Sequence, residues 1–308
     1  MVVLSGSFPA ADSWLFAQAQ TPSQADEFPS ELVKWSPNPS NPVFKAEGPD
    51  HWDVKIRERG WIIHEGGEYR LWFTGYDGKR EDRKFLGLAT SSDGLNWKPS
   101  PKNPLVRDHW VEDMNIVQHD GLYYMFAEGE HDNHAELLTS HDGVSWEWHG
   151  ELEVRAADGK QAAKKPCGTP TVWFENGKWY LFYEWLDQGD WLAKTSDPLT
   201  GVWTNVQDEP VLRTGPGAYD KDMIAIDQVL KYDGVYYAIY HGSGSGTAMP
   251  RTWNTDIARS IDLVHWTKFA RNPIVDDNKS SGELVPVGNG FRLYTMHDRI
   301  DAFEPSAN

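Results

Sequence analysis

A tryptophan-led segment recurs five times along the chain and limits the fold more than any other feature. Successive copies are separated by 62, 49, 57 and 63 residues. They read WSPNPSNPVF, WKPSPKNPLV, WEWHGELEV, WTNVQDEPVL and WTKFARNPIV, and they begin at Trp35, Trp97, Trp146, Trp203 and Trp266. Repeats of this length are typical of propellers and solenoids, in which each unit packs only against its neighbours.

A second element alternates with the first, and it consists of an apolar strand, a Gly-containing turn and an aromatic-rich strand. Four of its turns read HDG, ENG, YDG and GNG. Because Asp-Gly and Asn-Gly pairs adopt the positive φ of tight turns, each copy predicts a β-hairpin. A third strand precedes a turn of the Ser92-Asp93-Gly94 type, and a fourth strand starts near each Trp. Four antiparallel strands repeated five times predict an all-β, five-bladed β-propeller.

The two ends of the repeat predict how the ring closes. No hairpin precedes Trp35, and no Trp-led strand follows the last hairpin, residues 283–297. We expect the strand around Trp35 to complete that last blade, so that no sheet edge stays open. Residues 31–308 are then a single propeller domain, and residues 1–30 an N-terminal arm.

Composition narrows the classes of partner. The net charge of −17 argues against nucleic acid and gives no support for an anionic membrane. No apolar run approaches membrane-spanning length, and the lone Cys167 excludes an internal disulfide. LFAQAQ has the small-x-small pattern of an export-signal cleavage site, yet residues 1–33 lack Lys and Arg. An export-signal remnant and a plain arm both stay open, as do a cytoplasmic and an exported location and the oligomeric state.

The segments YRLWFTG, ATSSDGLNW and YYAIYHG resemble five-bladed propeller glycosidases, namely glycoside hydrolase families 32, 43, 117 and 130 and their unclassified relatives. The resemblance covers roughly residues 35–300. It implies a carbohydrate substrate in a central funnel, no required cofactor, and a possible structural calcium ion at the propeller centre. It also implies an exo-acting hydrolase of plant or algal oligosaccharides or polysaccharides, with inversion by direct water attack.

Cleavage of a glycosidic bond needs two carboxyl groups, one to donate a proton and one to activate water or attack carbon. Following the resemblance, Asp53 before the first inner strand corresponds to the general base. Arg57 lies close behind it and is a candidate for substrate binding. The alternative is an ordinary charged loop with a structural Asp–Arg pair.

Blade 2 contributes two candidates. Asp113 corresponds to the aspartate that tunes the acid in family 43 relatives, and Glu128 ends the next strand, facing the substrate. A turn-capping Asp and a solvated Glu are the alternatives.

Blade 3 departs from the family 43 pattern. Those relatives carry their acid Glu at the start of this blade, where the present chain reads KKPCGTPT. Glu184, between Tyr183 and Trp185, is the nearest replacement, because aromatic surroundings raise a carboxyl pKa. The alternative is an ion pair with Lys164 or Lys165.

Blades 4 and 5 add candidates for substrate binding: Asp220, Asp222, His241, Glu283 and His297. His241 and His297 end equivalent strands. Family 117 relatives use a His as the acid, and family 130 relatives bind phosphate with basic residues near such a His.

Three functions stay open. A hydrolase would use Asp53 as the base, Asp113 as the modulator, and Glu184 or His241 as the acid. A phosphorylase would need a phosphate cradle, for which Arg57, Arg59, His241 and Arg299 are candidates. A non-catalytic sugar-binding propeller would explain the missing blade-3 acid. No zinc-type Cys/His spacing occurs, and we assign no metal ligands.

Overall fold

The computed structural model describes residues 28–79, 83–130, 134–163, 168–246 and 250–306. Their strands form five separate sheets in a ring, each built around one predicted hairpin. The predicted five-bladed β-propeller is confirmed. No helix among these residues has the length and apolarity needed to cross a membrane.

The strand bounds follow the repeat. The chain begins with helix α1 (Ser30–Val33) and strand β1 (Trp35–Pro37). Blade 1 consists of β2 (Lys55–Ile56), β3 (Trp61–Glu65), β4 (Glu68–Tyr76), β5 (Phe85–Ser91) and β6 (Lys98–Pro99). Blade 2 consists of β7 (Glu112–His119), β8 (Leu122–Glu128), β9 (Ala135–Ser140) and β10 (Glu147–Glu151).

Blades 3 to 5 also follow the repeat. Blade 3 consists of β11 (Glu153–Arg155), β12 (Gly168–Glu175), β13 (Lys178–Glu184), β14 (Gly189–Thr195), β15 (Val202–Asn205) and β16 (Leu212–Arg213), with a 3₁₀ turn at Pro198–Thr200. Blade 4 consists of β17 (Met223–Tyr232), β18 (Val235–Ser243), β19 (Asn254–Ser260) and β20 (Thr267–Lys268). Blade 5 consists of β21 (Gly282–Val287), β22 (Gly290–Met296) and β23 (Ile300–Pro305).

Two blades exceed four strands. In blade 1 the inner strand is interrupted, so that β2 and β3 both pair with β4. The break leaves residues 57–60 outside both strands, although Arg57 N still donates to Thr74 O of β4 at 2.9 Å. In blade 3, β11 adds to the outer edge parallel to β15, and β16 pairs with β14.

The ring closes as the sequence predicts. Strand β1 pairs antiparallel with β23, with Trp35 opposite Pro305 and Pro37 opposite Phe303. Of the predicted arm, residues 1–27 lie outside the described residues. Phe28 packs against Tyr237 and Phe269, with ring centroids 6.0 and 5.0 Å apart.

The hydrophobic core is divided into five clusters, one between each pair of adjacent blades. Trp72, for example, packs between blades 1 and 2, and Trp203 packs between blades 2 and 3; both are fully buried. Blades therefore hold together through apolar faces, and the centre of the ring stays available for polar groups.

The SDG-type turns are structural, as the repeat predicts. Asp93 Oδ1 accepts hydrogen bonds from the backbone N–H groups of Leu95 and Asn96, at 2.8 Å each. Tyr294 of blade 5 donates to the carbonyl of Gly94, so the turn also joins two blades. Asp142 and Asp262 repeat the pattern in blades 2 and 4.

Candidate active site

The backbone turns sharply where the inner strands begin. Arg59, Asp113, Thr169 and Ser281 have φ of 51, 47, 49 and 55°, in the left-handed region. Each lies eight residues before the second residue of its hairpin turn. Such a conformation costs a non-Gly residue on the order of 1–3 kcal/mol and is concentrated at functional sites. All four residues line one central cavity.

A ring of hydrogen bonds joins the inner strands two residues further on. The Asn115 side chain accepts from Val172 N (3.0 Å), and Thr171 Oγ1 donates to Ile226 O (2.7 Å). Glu283 Oε2 accepts from Ile62 N (2.9 Å) and thereby joins blade 5 to blade 1. The structure therefore places Glu283, expected to bind substrate, in a structural contact outside the cavity lining, because its carboxyl is buried against the next blade.

Arg59 fills the point where the inner strands converge. Its guanidinium donates to the carbonyl oxygens of Asp113 (3.2 Å), Pro170 (2.8 Å) and Asp227 (3.0 Å), from blades 2, 3 and 4. A calcium ion here would have to displace this cation, so these residues do not fit one. Among the described residues, no group of three or more His, Cys, Asp or Glu side chains is arranged to hold a metal ion.

The central cavity has a volume of about 250 Å³, and Arg59 is part of its lining. Its acidic lining residues are Glu58, Asp113, Glu128, Glu184 and Asp187, and its cationic ones are Arg57, Arg59, His241 and Arg251. A second cavity of about 510 Å³ shares five of its residues: Arg57, Glu58, Glu128, Arg251 and Trp253. Its other walls include Tyr76, Lys84, Trp110 and His297. A small polar chamber therefore opens towards a larger, more aromatic one.

Glu128 and Glu184 form the acidic wall. A Cβ atom on Gly168 would lie 2.4 Å from Glu128 Oε1 and 2.3 Å from Glu184 Oε1, so the two carboxyl groups are close neighbours. Glu128 accepts from Thr169 N (2.8 Å), and Glu184 accepts from Asp187 N (2.6 Å). Gly168, in the KKPCGTPT segment that lacks the acid of family 43 relatives, gives these two carboxyl groups the room to meet.

Burial favours the protonated form along this wall. Burial and then the charge of Asp187 raise the pKa of Glu184 to about 7. Burial and then neighbouring carboxylates raise the pKa values of Asp113 and Glu128 well above their ordinary values. This wall can therefore hold protons at neutral pH.

Glu58 also lines the cavity, but its surroundings favour the ionised form of its carboxyl group. Its carboxylate contacts Arg57 Nη2 (3.1 Å) and His297 Nδ1 (3.2 Å). Burial alone would raise the pKa of Glu58, but His297 and Arg57 lower it to about 2. Arg57 also binds Glu112 at 2.9 Å. Glu58 is therefore held as an ionised carboxylate on the cavity wall.

His241 is a cationic group of the cavity. Its Nδ1 lies 2.8 Å from Asp227 Oδ1, and its ring contacts Trp253 edge-on. Burial alone would lower the pKa of His241, but the charge and hydrogen bond of Asp227 raise it to about 9. Because Nδ1 is bound to Asp227, Nε2 is the nitrogen that can serve a ligand.

Three other predicted residues lie outside the cavity lining. Asp53 is buried, and its Oδ2 accepts from Glu47 N at 3.2 Å. Asp220 is buried and ion-paired with Lys268 at 2.5 Å. Asp222 accepts from Gly246 N at 2.9 Å, at the end of the segment GSGSG, residues 242–246. Their local partners explain why the structure does not bring them to the cavity.

The structure brings together Asp113, Glu184, Arg57, Glu128 and His241, as expected, with His297 in the adjoining cavity. Sequence reasoning did not assign Glu58, Asp187, Arg251 or Trp253 to the site. A signal existed for Glu58, because it stands between Arg57 and Arg59 just before the inner strand. Lys164, Lys165 and Cys167 lie outside the described residues.

Comparisons with known proteins agree with this architecture, although no family model matches the chain. In sequence, the chain is similar to a 1,2-β-oligomannan phosphorylase of Thermoanaerobacter sp. (strain X514), with 25% identity over 230 residues, 69% of this chain and 73% of the relative.

Solved structures show the same fold. The chain is similar to a glycosyl hydrolase from Bacteroides ovatus, with a TM-score of 0.68, 16% identity and coverage of 91% of this chain and 97% of the other. It is also similar to a solved structure from the GH130 family of mannoside phosphorylases. That family contains glycoside hydrolases that target β-1,2-mannosidic linkages in Candida mannan. That match has a TM-score of 0.69, 14% identity and coverage of 91% and 98%. The chain thus has the five-bladed propeller fold of glycoside hydrolases and phosphorylases, which confirms the resemblance at the level of fold.

Proposed function

We propose that the protein is a glycoside hydrolase that removes sugar units from the end of an oligosaccharide. The observation that carries the proposal is the pairing of carboxyl groups in one cavity: Glu58 is ionised, whereas Glu184 keeps its proton until pH about 7. Two carboxyl groups whose surroundings separate their pKa values are the arrangement that acid–base cleavage requires.

The proposed reaction inverts the anomeric carbon. Glu184 donates its proton to the glycosidic oxygen as the bond from that oxygen to carbon breaks. Water attacks the carbon from the opposite face, and Glu58 takes the water proton. Glu58 here replaces Asp53 as the proposed base, because Asp53 lies buried outside the cavity lining.

The shape of the cavity supports attack at a chain end. Arg59 lines the chamber of about 250 Å³ and bonds to backbone carbonyls of blades 2, 3 and 4, and this favours a chain end over a polysaccharide threaded through the ring. His241 and Asp187 are placed to hold hydroxyl groups of the terminal sugar. The plant or algal origin of the substrate stays a prediction.

A phosphorylase is the second candidate, because the chain is similar to a 1,2-β-oligomannan phosphorylase. Its phosphate would bind near His241, Arg57 and Arg251. Arg59 is less suited, because its guanidinium is committed to backbone carbonyls. Arg57 is already paired with Glu58 (3.1 Å) and Glu112 (2.9 Å), so it is less available to a doubly charged anion, and this favours water as the attacking group.

The test is a panel of aryl glycosides and oligosaccharides, including β-1,2-mannosides, assayed with and without inorganic phosphate. We expect release of a free sugar that is independent of phosphate. Strict dependence on phosphate, with a sugar phosphate as product, would support the second candidate. Binding without cleavage of any compound over long incubation would contradict both.

A further inference from the structure

Blade 2 carries an exposed tryptophan without a counterpart in the other blades. Trp148 stands two residues after the repeat residue Trp146. The corresponding positions in the other copies hold Pro37, Pro99, Asn205 and Lys268. Trp148 is 45% exposed, and it is the one Trp among the large hydrophobic side chains that are exposed in the described part of the chain.

The local backbone and a buried acid fix this side chain. The pairing of β10 with β9 shifts register between Trp148 and Gly150, and Gly150 has a φ of 105°. Bulges of this kind re-aim a side chain. The indole Nε1 donates to Glu136 Oε2 at 2.8 Å. The ring also stacks on His109, with centroids 4.9 Å apart and planes at 16°.

Burying the carboxyl group of Glu136 costs free energy. Its residue is only 5% exposed, its Oε1 has no hydrogen-bond partner within the described ranges, and burial raises its pKa to about 7. Within the described part of the chain, the Glu136 carboxyl group accepts one hydrogen bond from a side chain, namely from Trp148. The bond from Trp148 therefore compensates part of the cost of burying this carboxyl group, and it fixes the orientation of the exposed indole.

The surroundings of Trp148 favour a sugar over a protein partner. The other side chains of β10, Glu147, His149 and Glu151, are polar and exposed, so the strand that carries the ring adds no second apolar side chain to the surface. A single flat aromatic face among hydrogen-bonding groups suits a pyranose ring, which has apolar C–H faces and a polar rim. His109 also precedes Trp110, a wall of the second cavity, so the indole belongs to the same side of the molecule.

We propose that Trp148, stacked on His109 and oriented by Glu136, is a carbohydrate-binding platform outside both cavities. It binds a sugar ring of an oligosaccharide or polysaccharide chain on its open face. Only the ligand class rests on the proposed function.

The test is native electrophoresis in gels that contain yeast mannan, arabinan, xylan or agarose. We expect at least one polysaccharide to retard the protein, and Trp148→Ala to weaken that affinity about tenfold. Ile261→Ala, at a side chain that is 82% exposed in blade 4, is the matched control and should migrate like the wild type. Equal retardation of wild type and Trp148→Ala, or no retardation of wild type in any gel, would overturn the platform.

Two further variants test the role of Glu136. Glu136→Gln keeps an oxygen that accepts from the indole and should retain binding, whereas Glu136→Leu should lose it with its thermal unfolding still cooperative. If both bind like wild type, Glu136 does not orient the platform. Because the gels measure binding without turnover, a protein that binds through Trp148 but cleaves nothing would contradict the proposed hydrolase and leave the platform supported.

Discussion

The acidic side chains of the SDG-type turns and those of the central cavity are chemically alike but are held in opposite ways. Asp142 accepts two backbone N–H groups at its turn, and these bonds lower its pKa to about 2. Glu184 accepts one such bond but is buried beside Asp187, and its pKa rises to about 7. The number of donors and the access of water, rather than the residue type, decide which carboxyl group can deliver a proton.

The largest expected effect comes from replacing Glu184, the carboxyl group proposed to donate the proton. Glu184→Gln should lower kcat/KM on a cleaved glycoside about 10²–10⁴-fold, because an amide cannot act as general acid. Steady-state kinetics measures this loss, and circular dichroism should show an unchanged fold. The exposed Glu209→Gln is the control. Activity within twofold of wild type would remove Glu184 from the mechanism.

A substitution at Gly168 tests the same wall while both glutamates stay in the sequence. Gly168→Ala places a methyl group where two carboxylate oxygens lie within 2.4 Å, so the wall has to move. We expect kcat/KM to fall about 100-fold, as for other small misplacements of catalytic groups. Gly290→Ala is the matched control, because a Cβ there meets no atom within 4 Å. Equal activity of both variants would show that the spacing of Glu128 and Glu184 is not critical.

The pH dependence separates the charged groups of the cavity. Activity should fall as pH rises through about 7, where Glu184 loses its proton. The folded-state pKa of His241 is raised to about 9, so its pair with Asp227 stabilises the fold fully below pH 6.5 and loses this effect as pH rises through 9. Asp227→Asn should move the His241 titration, followed by NMR, back towards 6.5. An unmoved titration would contradict the assigned pair.

The smallest effect is expected at the turns. Asp142→Ala removes acceptors for Val144 N and Ser145 N, and should destabilise the protein by about 1 kcal/mol, as loss of a similar cap does in helices. Thermal unfolding measures this change, with the exposed Asp276→Ala as control. Kinetic constants should stay at wild-type values. A loss of activity at constant stability would mean that the turn serves the site.

The repeat made the fold predictable, because five copies of one hairpin and one Trp strand determine the blade count and the closing strand. The site was predictable where strand ends were fixed by the hairpin, as for Asp113, Glu128, Glu184 and His241. Asp53 and Glu58 show the limit. Which of them reaches the cavity depends on the break between β2 and β3. The charged run around Glu58 marks this segment of the sequence but does not show where the strand breaks.

Glu283 shows a second limit. It occupies the start of an inner strand, as Asp113 does, yet lies two residues further along the ladder. That shift turns its carboxyl towards the neighbouring blade and away from the cavity. Sequence position within a strand distinguishes the two only once the positive-φ residue of each blade is known.

The pairing of β1 with β23 also bears on how the chain reaches its native state. Ser36 and Ser306, which are hydrogen-bonded across this seam, are 270 residues apart in sequence. The other sheets are built from segments close in sequence, so they can assemble as synthesis proceeds. Blade 5 cannot be completed until the last strand has emerged, and long-range closure of this kind is entropically slow. Formation of the seam is therefore the step at which a nascent chain becomes a closed ring.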